Sequence, residues 1–88
     1  MKTVYKYEIK IQDEFVLELP KIGEGIHVGL DPNGQSSMWI CHDTEEEKVM
    51  TKFYVRGTGH TVPEDGIYIN SWKDGPFMWH LFIAEDWA

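Results

Sequence analysis

Residues 54–66 read YVRGTGHTVPEDG and gather the residue types on this chain best suited to chemistry. Arg56 is the only arginine, and Gly57-Thr58-Gly59-His60 follows it directly. Successive backbone N–H groups around glycines can form an anion-binding concavity, to which Thr58 adds a hydroxyl donor. The Arg56 guanidinium is suited to clamping a phosphate or carboxylate with two parallel hydrogen bonds. The competing reading is a tight β-turn whose glycines supply positive φ, with Arg56 paired to a nearby carboxylate. No phosphate-binding fingerprint is matched: the segment is too short for a Walker-type loop, and GxGxxG requires a helix after it.

The other reactive residue types are scattered. His27, His42, His60 and His80, with Cys41, are types a transition metal accepts, but their spacing fits no Cys/His metal signature. Cys41 and His42 fall on opposite faces of a strand, so no metal site is expected. His60 with Asp65, or His80 with an aspartate, is a possible general-base pairing, yet no nucleophile elbow accompanies it. No catalytic residue, cofactor or enzymatic activity is expected. Cys41, on an apolar alternating strand, reads as a small buried hydrophobe.

Trp39, Tyr54, Tyr68, Trp72, Trp79 and Trp87 either fill the core or line a stacking pocket for a base or sugar. Tyr54 shares a strand face with Arg56 by alternation, and Tyr68 shares one with Trp72. Where those faces adjoin, the ligand-binding set is Arg56, Gly57, Thr58, Gly59, His60, Tyr54, Trp72 and Trp79. A second candidate surface is acidic: Asp43, Glu45, Glu46 and Glu47, with Glu64 and Asp65, would engage a basic partner protein.

The elements that must position these residues are strands. Tyr5, Tyr7, Ile9 and Ile11 alternate with Lys6, Glu8 and Lys10 over residues 3–11, and Phe15, Leu17 and Leu19 resume alternation up to Pro20 as a hairpin. Ile26, Val28 and Leu30 precede the turn Asp31-Pro32-Asn33-Gly34, and the return strand sets Met38, Ile40 and His42 opposite Trp39 and Cys41. Val49, Thr51, Phe53 and Val55 alternate with Met50, Lys52, Tyr54 and Arg56. Ile67, Ile69 and Ser71 alternate with Tyr68, Asn70 and Trp72, and Lys73-Asp74-Gly75-Pro76 turns the chain into a strand near 77–83. Both faces of that last strand are apolar, which predicts a central strand or one covered by another chain. The pattern predicts a single all-β domain over residues 1–88: a compact antiparallel sandwich or small barrel of about six to seven short strands.

Composition narrows the partners. A net charge of -7 argues against nucleic-acid backbones and anionic membranes, which demand a basic face. One cysteine excludes an intrachain disulfide, and no apolar window is long enough to span a bilayer. A cytoplasmic protein is expected.

Taken in order, MKTVYKYEIKI, FVLELPK, HVGLDPNG, GTGHTVPEDGIYI and DGPFMWHLF resemble a family of small bacteriophage and prophage β-proteins with no assigned activity. The resemblance spans nearly the whole chain and implies a complete protein acting in the bacterial host cytoplasm. It carries no catalytic residues. The setting it implies is an accessory role against host machinery, antiviral defence included. The expected function is a non-catalytic counter-defence binding protein that sequesters a small anionic, nucleotide-like ligand, with a homo-oligomer supplying the missing pocket wall. The alternatives are a protein-interaction inhibitor that turns its acidic surface on a host defence protein, and a structural or assembly protein.

Overall fold

The computed structural model describes residues 1–85, apart from the side chains of residues 23 and 24. Trp87, expected to dock from a short tail, lies outside the described residues. Seven strands run Lys2–Glu8 (β1), Glu14–Pro20 (β2), Ile22–Leu30 (β3), Ser36–Asp43 (β4), Lys48–Gly57 (β5), Gly66–Asp74 (β6) and Phe77–Ala84 (β7). They form two antiparallel sheets, β1-β4-β3 and β2-β5-β7-β6. The architecture is a sandwich and not a closed barrel.

Period-2 alternation decides what each strand buries. Met38, Ile40 and His42 of β4 face inward, as do Thr51, Phe53 and Val55 of β5 and Leu81 and Ile83 of β7. Leu19, Val28 and Ile9 complete the centre of the core. As its two apolar faces require, β7 sits in the middle of its sheet, between β5 and β6.

The expected β1–β2 hairpin does not form. Strand β1 pairs with β4 and β2 with β5, so the connection crosses from one sheet to the other. The cause is at Ile9: β1 ends at Glu8, the Ile9 side chain is fully buried, and its N–H donates to Ser36 O at 2.9 Å. Ile11, expected on the same face, is exposed.

The β3–β4 hairpin forms as expected, on a turn built by Asp31. Its Oδ1 accepts from the N–H groups of Asn33 and Gln35, both at 2.9 Å, and Gly34 takes the positive φ of 80°. Lys6 Nζ reaches across from β1 to Asp31 Oδ2 at 2.9 Å. That bond, followed by the Gln35 amide, holds the Asp31 carboxyl below its ordinary value. A depressed folded-state value contributes stability above the unfolded-state value of about 3.9, and the contribution is lost as pH falls through the folded value. Asp31→Asn is therefore expected to flatten the acid limb of a melting-temperature profile recorded between pH 5 and pH 2. An unchanged acid limb would remove Asp31 from that role.

The two sheets are bonded to each other through the Ser36 hydroxyl. Trp72 Nε1 donates to Ser36 Oγ at 2.8 Å, and Ser36 Oγ donates to Asp74 Oδ2 at 3.2 Å. Trp72 is 3% exposed and reaches its inward position because β6 carries a bulge between Tyr68 and Asn70. Ile69 and Asn70 together oppose Leu81, so every later residue of β6 changes face.

Candidate functional site

The outer face of the four-stranded sheet carries two cross-strand rows. In the first, Glu14, Tyr54, Phe82 and Tyr68 stand in register across β2, β5, β7 and β6. In the second, Arg56, His80 and Ser71 stand across β5, β7 and β6. The Gly57–His60 segment caps this face at the end of β5.

That segment is a β-turn. His60 N–H donates to Gly57 O at 3.1 Å, and Gly59 has a φ of 87°, which its lack of a Cβ permits. Gly57 serves another purpose: a Cβ there would meet the His60 ring at 3.2 Å, so the glycine lets the imidazole close over the strand end.

Among the described residues Arg56 pairs with no carboxylate. Its Nε donates to Thr61 O at 3.0 Å, and its Nη1 donates to Asp13 O at 2.5 Å and Val55 O at 2.9 Å. The guanidinium thereby ties the β1–β2 connection to the β5–β6 loop while its carbon lies 5.6 Å from the Tyr54 ring centroid. Lys52 Nζ lies 5.3 Å from the same centroid and pairs with Glu14 at 2.6 Å. Tyr54 is nearly buried, and its hydroxyl donates to both Asp65 oxygens at 3.0 and 3.1 Å. Burial first, and the Asp65 carboxylate second, hold the phenol above its ordinary value, which keeps it a donor.

The expected ligand set is thus divided. Arg56 lies over the Tyr54 ring on the outer face, and Gly57, Thr58, Gly59 and His60 form the turn that follows it directly in the chain. Trp72 and Trp79 lie on the opposite, core-facing side, paired with each other in register. Trp79 stacks on Phe77 at 5.6 Å, and Trp72 bonds Ser36. Tyr68 and Trp72 do not share a face, because the bulge separates them.

What sequence reasoning missed is a chain of hydroxyls around His80. Its Nε2 lies 2.8 Å from Thr58 Oγ1, its Nδ1 lies 2.5 Å from Ser71 Oγ, and Ser71 Oγ lies 2.5 Å from the Tyr68 hydroxyl. Strict alternation places Asn70 across from His80, and the bulge puts Ser71 there instead. The only local hint is Asn70 itself, a poor strand former whose Oδ1 accepts from Ser71 N–H at 2.8 Å.

The acidic candidates do not form one patch. Asp43 accepts from the Met1 ammonium at 3.1 Å and from Glu45 N–H at 3.0 Å, and Asp65 is bound to Tyr54. Glu45, Glu46, Glu47 and Glu64 are exposed. The 43–47 loop leads into β5, whereas the Glu64–Asp65 pair leads into β6, the edge strand two places away, where Asp65 O accepts from Glu85 N–H at 2.8 Å.

Elsewhere, His27 lies 5.6 Å from the Trp39 ring, while His42 is fully buried and its Nε2 lies 3.0 Å from the Tyr7 hydroxyl. A cavity of about 370 Å³ is lined by Lys2, Lys21, Ile22, Cys41, His42, Asp43 and Glu46. Among the described residues no group of three or more His, Cys, Asp or Glu side chains is placed to hold a metal ion. Among them, too, no helix is long and apolar enough to cross a membrane.

The fold and this face define a small seven-stranded antiparallel sandwich with an open, hydroxyl-rich sheet surface. The chain belongs to the family described as Domain of unknown function (DUF7352), whose model matches residues 1–87. No curated protein and no solved structure matches it.

Proposed function

We propose that this protein is a binding module that sequesters a small anionic, ring-bearing ligand of the nucleotide class on the outer face of its four-stranded sheet. The observation that carries this reading is Arg56 held over the Tyr54 ring at the foot of the Gly57–His60 turn, in a chain whose net charge is -7. Arg56 is held by three carbonyls, so little side-chain freedom is lost when an anion meets its remaining Nη2. Exposed Tyr68 and partly buried Phe82, 5.6 Å apart, supply a surface on which a base or other flat ring can lie. The face is open, and a second copy of the chain supplies the opposing wall. We read such sequestration as an act against a defence signal in a bacterial host's cytoplasm, in keeping with the resemblance to small phage proteins.

The test is a thermal-shift panel of nucleoside mono-, di- and cyclic phosphates, paired with native mass spectrometry of the freshly purified protein. A ligand at about 100 times its dissociation constant stabilises by roughly 2.7 kcal/mol, a rise in melting temperature of several degrees. Arg56→Lys, which keeps the charge and loses the planar fork, is expected to abolish most of that rise. Unchanged melting at millimolar nucleotide, together with a bare native mass, would overturn the proposal.

A further inference from the structure

We propose that Thr58 is a site of covalent acylation by activated carboxylic esters, with His80 as its general base and Ser71 as the residue that positions the His80 ring. This goes beyond ligand sequestration and does not depend on it. The geometry is that of an activated hydroxyl: a nucleophile within hydrogen-bond reach of an imidazole, which is held in turn by a third group on its other nitrogen. Thr58 Oγ1 is 2.8 Å from His80 Nε2, and Ser71 Oγ is 2.5 Å from His80 Nδ1. The Tyr68 hydroxyl, 2.5 Å from Ser71 Oγ, fixes the serine in its turn.

Two features single out Thr58. It sits exposed in the Gly57–His60 turn, whereas Ser71 is half-buried between two polar partners. The bulge that places Ser71 across from His80 is a feature that recurs where a strand must re-aim a side chain.

In the reactive tautomer, His80 donates Nδ1–H to Ser71 Oγ and accepts the Thr58 proton at Nε2. Thr58 Oγ1 forms a bond to the acyl carbon as its proton passes to Nε2. The bond from the acyl carbon to the leaving alkoxide then breaks, and Nε2–H returns the proton to that alkoxide. The products are an ester on Thr58 and a free alcohol, with no oxidant or reductant consumed. Acylated Thr58 can no longer donate to His80, and the acyl group covers the turn.

The experiment treats the whole protein with p-nitrophenyl acetate, follows intact mass, and maps the label by peptide sequencing. One acetyl group on Thr58 is expected. Thr58→Ala is expected to lose it and Thr58→Ser to keep it. His80→Ala, confirmed folded by circular dichroism, is expected to slow labelling by about 100-fold or more. Added free imidazole should restore labelling of Thr58 in His80→Ala, which a purely structural role for His80 does not predict. Label confined to lysines and the N-terminal amine, or Thr58 labelled equally fast in the folded His80→Ala protein, would overturn the proposal. Neither result bears on nucleotide binding, which is read separately by melting temperature. Should His80→Ala fail to fold, the Thr58→Ala and Thr58→Ser pair decides whether Thr58 is the acceptor.

Discussion

Trp72→Ala is expected to lose about 3–5 kcal/mol of stability, the range for truncating a buried indole. Trp72 is 3% exposed, packs in the main core cluster and donates across the two sheets to Ser36 Oγ. Truncation leaves a cavity and strips Ser36 Oγ of its donor at once. For a domain of this size, each kcal/mol moves the melting temperature by roughly 4–8 °C. The drop is therefore roughly 12–40 °C, and total stability for such a chain is only about 4–13 kcal/mol at 0.05–0.15 kcal/mol per residue. Trp72→Phe keeps most of the ring and loses only the cross-sheet donor, so it should fall well short of alanine. Urea titration followed by near-ultraviolet circular dichroism reads both variants. A loss below about 1 kcal/mol for alanine would be the value of a surface position and would mean the ring is not in the core.

Phe53→Ala is expected to cost a comparable 3–5 kcal/mol for a separate reason. Phe53 lies in the interior of β5 with no exposed surface, between Phe15 of β2 and Ile83 of β7 in register. Its ring stacks on Phe15 at 5.2 Å, so alanine removes an aromatic pair as well as a core volume. The adjacent residue supplies the control. Tyr54→Phe alters only the opposite face, keeps the ring and loses the bond to the Asp65 carboxylate, worth about 1.5–3 kcal/mol. The same urea titration measures both, and equal losses at 53 and 54 would contradict the inward-outward assignment of β5.

That assignment was legible in the sequence, and so was most of the architecture. Alternation in β4, β5 and β7 put Met38, Ile40, Phe53, Val55 and Leu81 on the faces they occupy, and Asp31-Pro32-Asn33-Gly34 marked its hairpin. Two things escaped. Strand pairing is a non-local property, and alternation says only which side of a strand is apolar; nothing local at Gln12-Asp13-Glu14 distinguishes a hairpin from a crossing between sheets. The bulge at Ile69-Asn70 is one extra residue, which inverts every later position on β6 without altering the composition of the segment. Strict alternation therefore groups Trp72 with Tyr68 and hides the neighbours of His80. At the candidate site, the Gly57–His60 turn was visible in its glycines, but the partners of Arg56 are backbone carbonyls of Asp13, Val55 and Thr61, which no side-chain pattern announces.

The crossing of β1 and β2 between sheets also sets an order of assembly. The β3–β4 and β6–β7 hairpins close over short turns, whereas β1 must find β4 and β2 must find β5 across intervening strands. Pairings closed over long loops carry their entropy cost before any contact rewards it, so the chain belongs with the β-proteins that fold in milliseconds to seconds. On the ribosome, β1 emerges before its partner and waits until β4 has been made. The N-terminal strand is then the last part of its sheet to be secured, and its Tyr5 and Val4 remain open to other chains in the interval.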